Sequence, residues 1–298
     1  MLTKNDCLRK FTIIFPPYFW LIIFFLLPFL LVMVISFGEV ADNIPPYKLP
    51  FSFDQERNAI RVEPYFENYK LIFSDNLYIK AYFDSIRLAV ISTIIALLIG
   101  YPIAYFIARA DARKQSFLLL LITIPFWTAF LIRIYAWITI LKNNGLLNQI
   151  LMGIGLINEP IMFLNTEFAV VLGIVYSYLP FMILPLYSAI EKINPTLIEA
   201  AWDLGCKPFK AFLRVTLPLS LPGVITGCML VFIPAIGEFV IPDLLGGSQV
   251  VTIGKVLWNE FFLNRDWPLA AAITLIITAI IIIPVMIGQE VIARKKGS

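Results

Sequence analysis

Six stretches of this 298-residue chain are too long and too apolar to suit anything but a lipid bilayer. Crossing about 30 Å of hydrocarbon takes about 20 largely apolar residues in a helix. Stretches of that kind run roughly Pro17–Phe37, Ile86–Ala108, Phe117–Leu141, Phe168–Ile190, Leu219–Ile241 and Leu269–Ile292. The last contains AAAITLIITAIIIIPVMIG, with no charge in it. Composition agrees: 60% of residues are hydrophobic and 14% charged, against about 45–50% and about 25% in a soluble domain. The expected fold is all-α and integral to the membrane, with six transmembrane helices. Pro180 and Pro185 are expected to kink the fourth.

Positive charge assigns the sides. Lys4, Arg9, Lys10, Arg109, Arg113, Lys114, Lys192, Lys207, Lys210, Arg214, Arg294, Lys295 and Lys296 fall in the tails and in the loops after spans two and four. The opposite, longer loops hold Lys48, Arg57, Arg61, Lys70, Lys80, Arg87, Lys142, Lys255 and Arg265. Cation density differs by about 2.5-fold, in the positive-inside sense, which places both termini in the cytoplasm. The expected organisation is a cytoplasmic tail at 1–16, one six-span membrane domain at 17–292 and a cytoplasmic tail at 293–298. An outer loop at 38–85 is expected to be partly folded, and an inner loop runs over 191–218. The first apolar run exceeds the about 7–15 residues of a signal-peptide core, and no small-x-small cleavage site follows it, so it reads as a retained span. With no His and with unpaired Cys7, Cys206 and Cys228, neither a metal site nor a disulfide framework is suggested.

The inner loop contains EAAWDLGCKPFKAF, Glu199 to Phe212. Asn194 suits a helix cap, Pro195 the first helical position, and Gly205 the left-handed residue beyond the end. Leu197, Ala200, Ala201 and Leu204 fall at helical spacing on one small apolar face, with Glu199 and Asp203 beside it. Such a helix could rest in lipid headgroups. An interfacial helix, however, carries bulky apolar residues flanked by Lys or Arg, whereas Ala200 and Ala201 leave room for the backbone of another protein.

EAAWDLGCKPFKAFLRVTLPLSLPG resembles the EAA loop of ABC-importer permeases: Glu199, Ala200, Ala201, Gly205, Leu217 and Pro218 match it residue by residue. IPFWTAFLIRIYAWITILKNNGLLN, VFIPAIGEFVIPDLLGG and VLWNEFFLNRDWPLAAA are similar to polyamine-importer permeases, more to the putrescine type than to the spermidine type. The resemblance implies a type I ABC-importer (MetI-like) architecture in the bacterial inner membrane. It implies that Glu199, Ala200, Ala201, Asp203 and Gly205 couple to cytoplasmic ATPase subunits. It also implies a second, homologous permease chain in a heterodimer, and a periplasmic binding protein that delivers polyamine. ATP and magnesium would belong to the ATPase, with no cofactor on this chain, no catalytic residue and no nucleic-acid partner. The nearest imitation of a phosphate loop here, GSQVVTIGKV, has the wrong glycine spacing and lacks Ser or Thr after Lys255.

Arg133, Glu238 and Glu290 are the charges inside the expected spans, where ionisable groups are functional candidates by default. Glu290 reads as interfacial, close to the basic tail. Glu238 either snorkels to the outer interface or lines a pathway, and the resemblance favours the pathway. A dicationic cargo needs carboxylates or aromatic faces in place of water. Phe126, Phe130, Arg133 and Trp137 form one stripe on span three, with Trp127 and Tyr135 beside it and Tyr176 and Tyr178 on span four. Stripes of this kind serve helix packing more often than ligand cages. Arg133 would repel a cation unless neutralised, so a pair with Glu238 is expected. Asp243 and Asp266 flank the same outer mouth as cation collectors or as solvated loop acids. Gly223 and Gly227 form a GxxxG, expected to pack within the permease pair. A permease for spermidine or another small solute, a secondary transporter and a membrane assembly factor remain as alternatives, although a secondary transporter leaves the EAA loop unexplained.

Overall fold

The computed structural model describes residues 14–54 and 59–296. Lys4, Cys7, Arg9, Lys10 and Arg57 lie outside the described residues, as do the side chains of Arg294, Lys295 and Lys296.

Five helices are long and apolar enough to cross a membrane: Ile14–Ser36, Asn76–Ala108, Glu167–Glu191, Pro208–Ile236 and Trp267–Ile287. The last continues as helix to Lys296. A sixth crossing exists if the bent pair Ala112–Trp127 and Phe130–Gly153 counts as one. The expected third span is therefore not one straight helix. The pair turns by 88° at its break, where Thr128 and Ala129 take extended backbone, with ψ of 148° and 135°. The second span starts ten residues earlier than hydropathy indicates, because the polar stretch from Asn76 joins its helix. The expected fifth span, drawn to Ile241, ends at Ile236, and a short helix Val240–Gly246 follows the break. Pro180 and Pro185 sit inside Glu167–Glu191 without dividing it.

The chain divides into two compact units. The first comprises the residues up to Asn76 with Leu257–Ala279. Its leading helix buries almost nothing against the rest of the unit: 6% of its most apolar window is enclosed. The outer loop is folded, with antiparallel hairpins pairing Glu39–Val40 with Tyr47–Lys48 and Phe51–Asp54 with Ala59–Val62. These are the only strands among the described residues. The helix Glu67–Ser74 ties the loop down: buried Asn68 donates to the carbonyls of Ser36 and Gly38, both at 3.0 Å. Ser36 and Tyr69 hydroxyls meet at 2.7 Å. Gly38 is required there, because a Cβ would stand 2.6 Å from the Lys48 carbonyl.

The second unit comprises Leu77–Val256 and the chain from Ile280 onward. Spans two, four and five build its core from Ala96, Ala104, Ile107, Met182, Leu186 and Val231. Gly223 and Gly227 let span five close on span four, where a Cβ would meet Ala189 Cβ at 2.5 Å and Met182 Sδ at 2.8 Å. The GxxxG expected to serve the permease pair thus packs helices of one chain. Within this core Tyr101 and the fully buried Ser220 share a hydrogen bond of 2.7 Å. Toward the N-terminal ends of both helices Arg87 of span two pairs with Glu167 of span four.

Candidate functional site

The inner loop forms the helix Pro195–Asp203, and each expected signal lies where it is needed. Asn194 accepts the Thr196 N–H at 3.1 Å. Gly205 has φ +79°, a conformation that costs other residues roughly 1–2 kcal/mol. It lets Cys206 N–H reach back to the Ala201 carbonyl at 3.0 Å, closing the helix end. Of the small apolar face read from the spacing, only Ala201 is taken into the fold. Ile198 and Ala201 point inward, while Leu197, Ala200 and Leu204 are exposed with Glu199 and Asp203. Trp202 (51% exposed), Leu204 (86%) and Phe209 (71%) extend this apolar surface. Among the described residues no ionic pair or hydrogen bond holds the side chain of Glu199 or Asp203, and both residues are exposed.

A second constellation forms where helices break. Phe126, Phe130 and Arg133 come from the bent third segment, Ser177, Tyr178 and Phe181 from span four, and Pro234 to Val240 from the interruption after span five. Together they line a cavity of about 400 Å³. The Arg133 guanidinium carbon lies 5.0 Å from the Phe126 ring centroid and 5.7 Å from that of Phe130, within the roughly 6 Å of a cation–π contact. Arg133 Nε and Nη1 and Ser177 Oγ are buried and have no hydrogen-bond partner among the described residues.

Glu238 is engaged on both oxygens. Tyr178 donates its hydroxyl to Oε2 at 2.5 Å. Oε1 accepts the N–H groups of Val240 at 3.0 Å and Ile241 at 3.3 Å, at the start of the short helix. The carboxylate thus satisfies amides that a helix start leaves open. The expected ion pair with Arg133 is not formed: the two charges lie farther apart than 4 Å, and amides and a phenol hold the carboxylate instead. The continuous stripe is corrected too, since the break at Thr128–Ala129 moves Phe126 onto a separate turn, although Phe126 and Phe130 still meet Arg133.

The remaining candidates spread out. Trp137 packs edge-on against Tyr176 at 5.3 Å, whereas Trp127 (78%) and Tyr135 (56%) are exposed away from the cavity lining. Asp243 is paired with Lys255 at 2.9 Å, and the same ammonium donates to the Gly247 carbonyl at 2.8 Å. The lysine of the phosphate-loop imitation is thereby consumed in structure. In the first unit Asp266 caps the last helix by accepting Leu269 N–H at 3.0 Å. Burial pushes its carboxyl above the usual range against that amide, and nearby Glu260 adds to the rise. Ser177 was not singled out in the sequence. A small hydroxyl on an apolar helix carries no local signal, and only its burial without a partner exposes it.

The family described as binding-protein-dependent transport system inner membrane component matches residues 96–298. A spermidine/putrescine transport system permease protein, PotB of Haemophilus influenzae, is 42% identical over 294 residues, covering 98% of this chain and 97% of its own. The protein of the same name from Escherichia coli K12 is 40% identical over 261 residues, covering 88% and 90%. Among solved structures, a bacterial ABC transporter involved in import of the acidic polysaccharide alginate superposes with a TM-score of 0.70. It is 18% identical and covers 98% of this chain and 96% of its own, a likeness of fold. The MetNI methionine ABC transporter, in an inward-facing conformation, gives 0.55 at 15% identity, covering 73% and 95%.

Proposed function

We propose, for a chain that belongs to the inner membrane components of binding-protein-dependent transport systems, the role of permease subunit in an ATP-driven importer of linear polyamines. The observation that carries this reading is near-full-length identity of 42% to a spermidine/putrescine permease. The cavity supplies suitable chemistry. A dicationic cargo leaving water needs anionic or π partners that do not trap it, and Glu238, Tyr178, Phe126, Phe130 and Phe181 line one space.

In this reading both termini face the cytoplasm, and the exposed surface around Glu199–Gly205 seats in a cytoplasmic ATPase subunit. A second, homologous permease chain completes the pathway, and a periplasmic polyamine-binding protein delivers the cargo. ATP and magnesium act in the ATPase; this chain hydrolyses nothing. ATPase closure moves the Pro195–Asp203 helix, the permease pair opens outward, cargo enters past the broken helices, and ATPase separation releases it inward. Among the remaining pathway candidates, Asp243 with Trp127, Tyr135 and Trp137 would act at the mouth or walls rather than on the cavity itself.

Both spermidine and putrescine fit this chemistry, and the residue likeness to putrescine-type permeases favours putrescine. Uptake of labelled putrescine, with spermidine as competitor, in cells with and without this gene tests both levels. Uptake lost on deletion and restored by complementation, with weak competition, supports putrescine; strong competition shifts the cargo to spermidine. Uptake independent of the gene, in cells with no other polyamine importer, overturns the polyamine assignment. Uptake that persists without any ATPase partner points instead to a secondary transporter.

A further inference from the structure

Arg133 is out of place in a pathway for cations. It carries a permanent positive charge into a cavity whose carboxylate is already held by Tyr178 and two backbone amides. Its guanidinium lies over two aromatic rings, Phe126 and Phe130, and two of its nitrogens are buried without hydrogen bonds. Guanidinium groups placed for structure are ordinarily satisfied by carboxylates or carbonyls. This one is held chiefly by π faces, the kind of partner that suits an ammonium as well. Leaving two buried donors unpaired raises its free energy, so the seat is one it can vacate. Ser177 Oγ, an unpaired acceptor on the facing helix, lines the same cavity.

We infer that Arg133 is a tethered stand-in for the cargo, occupying the Phe126–Phe130 aromatic seat while the pathway is empty and competing with an incoming ammonium for it. The inference rests on the polyamine reading above. Binding of cargo then requires the guanidinium to swing off the rings. No carboxylate needs to change partner, which accounts for Glu238 being engaged elsewhere. The device keeps the seat weak for the transported cation, so that cargo passes through, and keeps a fixed positive charge facing any inorganic cation that enters.

The sign of one substitution separates this from the alternatives. An Arg that binds cargo directly, or that merely supports the fold, loses affinity when neutralised; a competitor gains it. The complete importer complex in nanodiscs, without the delivery protein, is titrated with labelled putrescine and labelled spermidine. Arg133→Gln is expected to bind roughly tenfold more tightly than the parent, the factor for one seated cation–π contact. Arg133→Lys, which keeps the charge, is expected to stay near the parent. If Arg133→Gln does not assemble, Arg133→Met preserves the length and apolar stem and carries the same expectation. Equal or weaker binding in the neutral variants, with polyamine uptake by the parent intact in cells, overturns the inference alone. Absence of parental uptake overturns the cargo assignment, and this inference with it.

Discussion

Glu238, a proposed pathway residue, also serves structure. Its carboxylate closes the start of Val240–Gly246 and accepts from Tyr178, so its charge is fixed in the cavity wall rather than free to snorkel. Glu238→Gln keeps an acceptor for the amides but removes the charge. Charge-assisted hydrogen bonds stabilise by about 1.5–3 kcal/mol, so polyamine uptake by Glu238→Gln is expected to fall by about tenfold or more. The protein should still reach the membrane in normal amount, as judged by quantitative blotting. Uptake unchanged in a normally expressed variant would remove Glu238 from the pathway. Asp243 differs: Lys255 pairs with it at 2.9 Å, so it has less free charge to offer than the sequence suggests.

At the scale of elements, the joints between helices matter most. The third segment bends by 88°, span five stops at Ile236, and the cavity lies where these interruptions face an unbroken span four. Hydropathy reads apolar content and cannot detect a two-residue change of ψ, so straight spans were expected at both places. The inner-loop helix was legible in detail, since Asn194, Pro195 and Gly205 act through their own backbones. How its face divides was not: Ala201 turns inward with Ile198, which lies outside the stripe, while Leu197, Ala200 and Leu204 stay exposed. Close helix approach gives a further test. A side chain at Gly223 would press on Ala189 Cβ and the Pro185 carbonyl at 2.5 and 2.8 Å. Gly223→Val should therefore destabilise the protein by about 1–3 kcal/mol through overpacking. A lower unfolding temperature of the purified complex would show it, and an unchanged one would mean that spans four and five can separate without cost.

For the whole molecule, the exposed apolar surface that lies on a loop rather than on a span marks the proposed ATPase contact. The loop presents Trp202, Leu204 and Phe209 to the outside beside Glu199 and Asp203. Interface energy concentrates in a few buried anchors, tryptophan prominent among them, whose truncation costs about 2 kcal/mol or more. Trp202→Ala is accordingly expected to lose most of the ATPase subunit on affinity purification, while Trp127→Ala, more exposed still but distant in sequence and on another segment, should retain it. Retention by both would place the ATPase contact elsewhere.

The sequence alone determined the class of molecule. Apolar runs of sufficient length demand a bilayer, helix-terminus residues delimit the inner-loop helix, and the EAA pattern pointed to the importer family. These signals are local: each is carried by residues within a few turns of one another. What only the tertiary structure decided is which partners meet, whether near or far in sequence. Tyr178 reaches Glu238 across 60 positions, Lys255 takes up Asp243, and Arg133 settles on Phe126 and Phe130 instead of on a carboxylate. Charge and residue type show that a buried ion needs a partner. Among several partners of comparable chemistry, the choice falls to the backbone geometry of the broken helices, which sets which of them lies within reach.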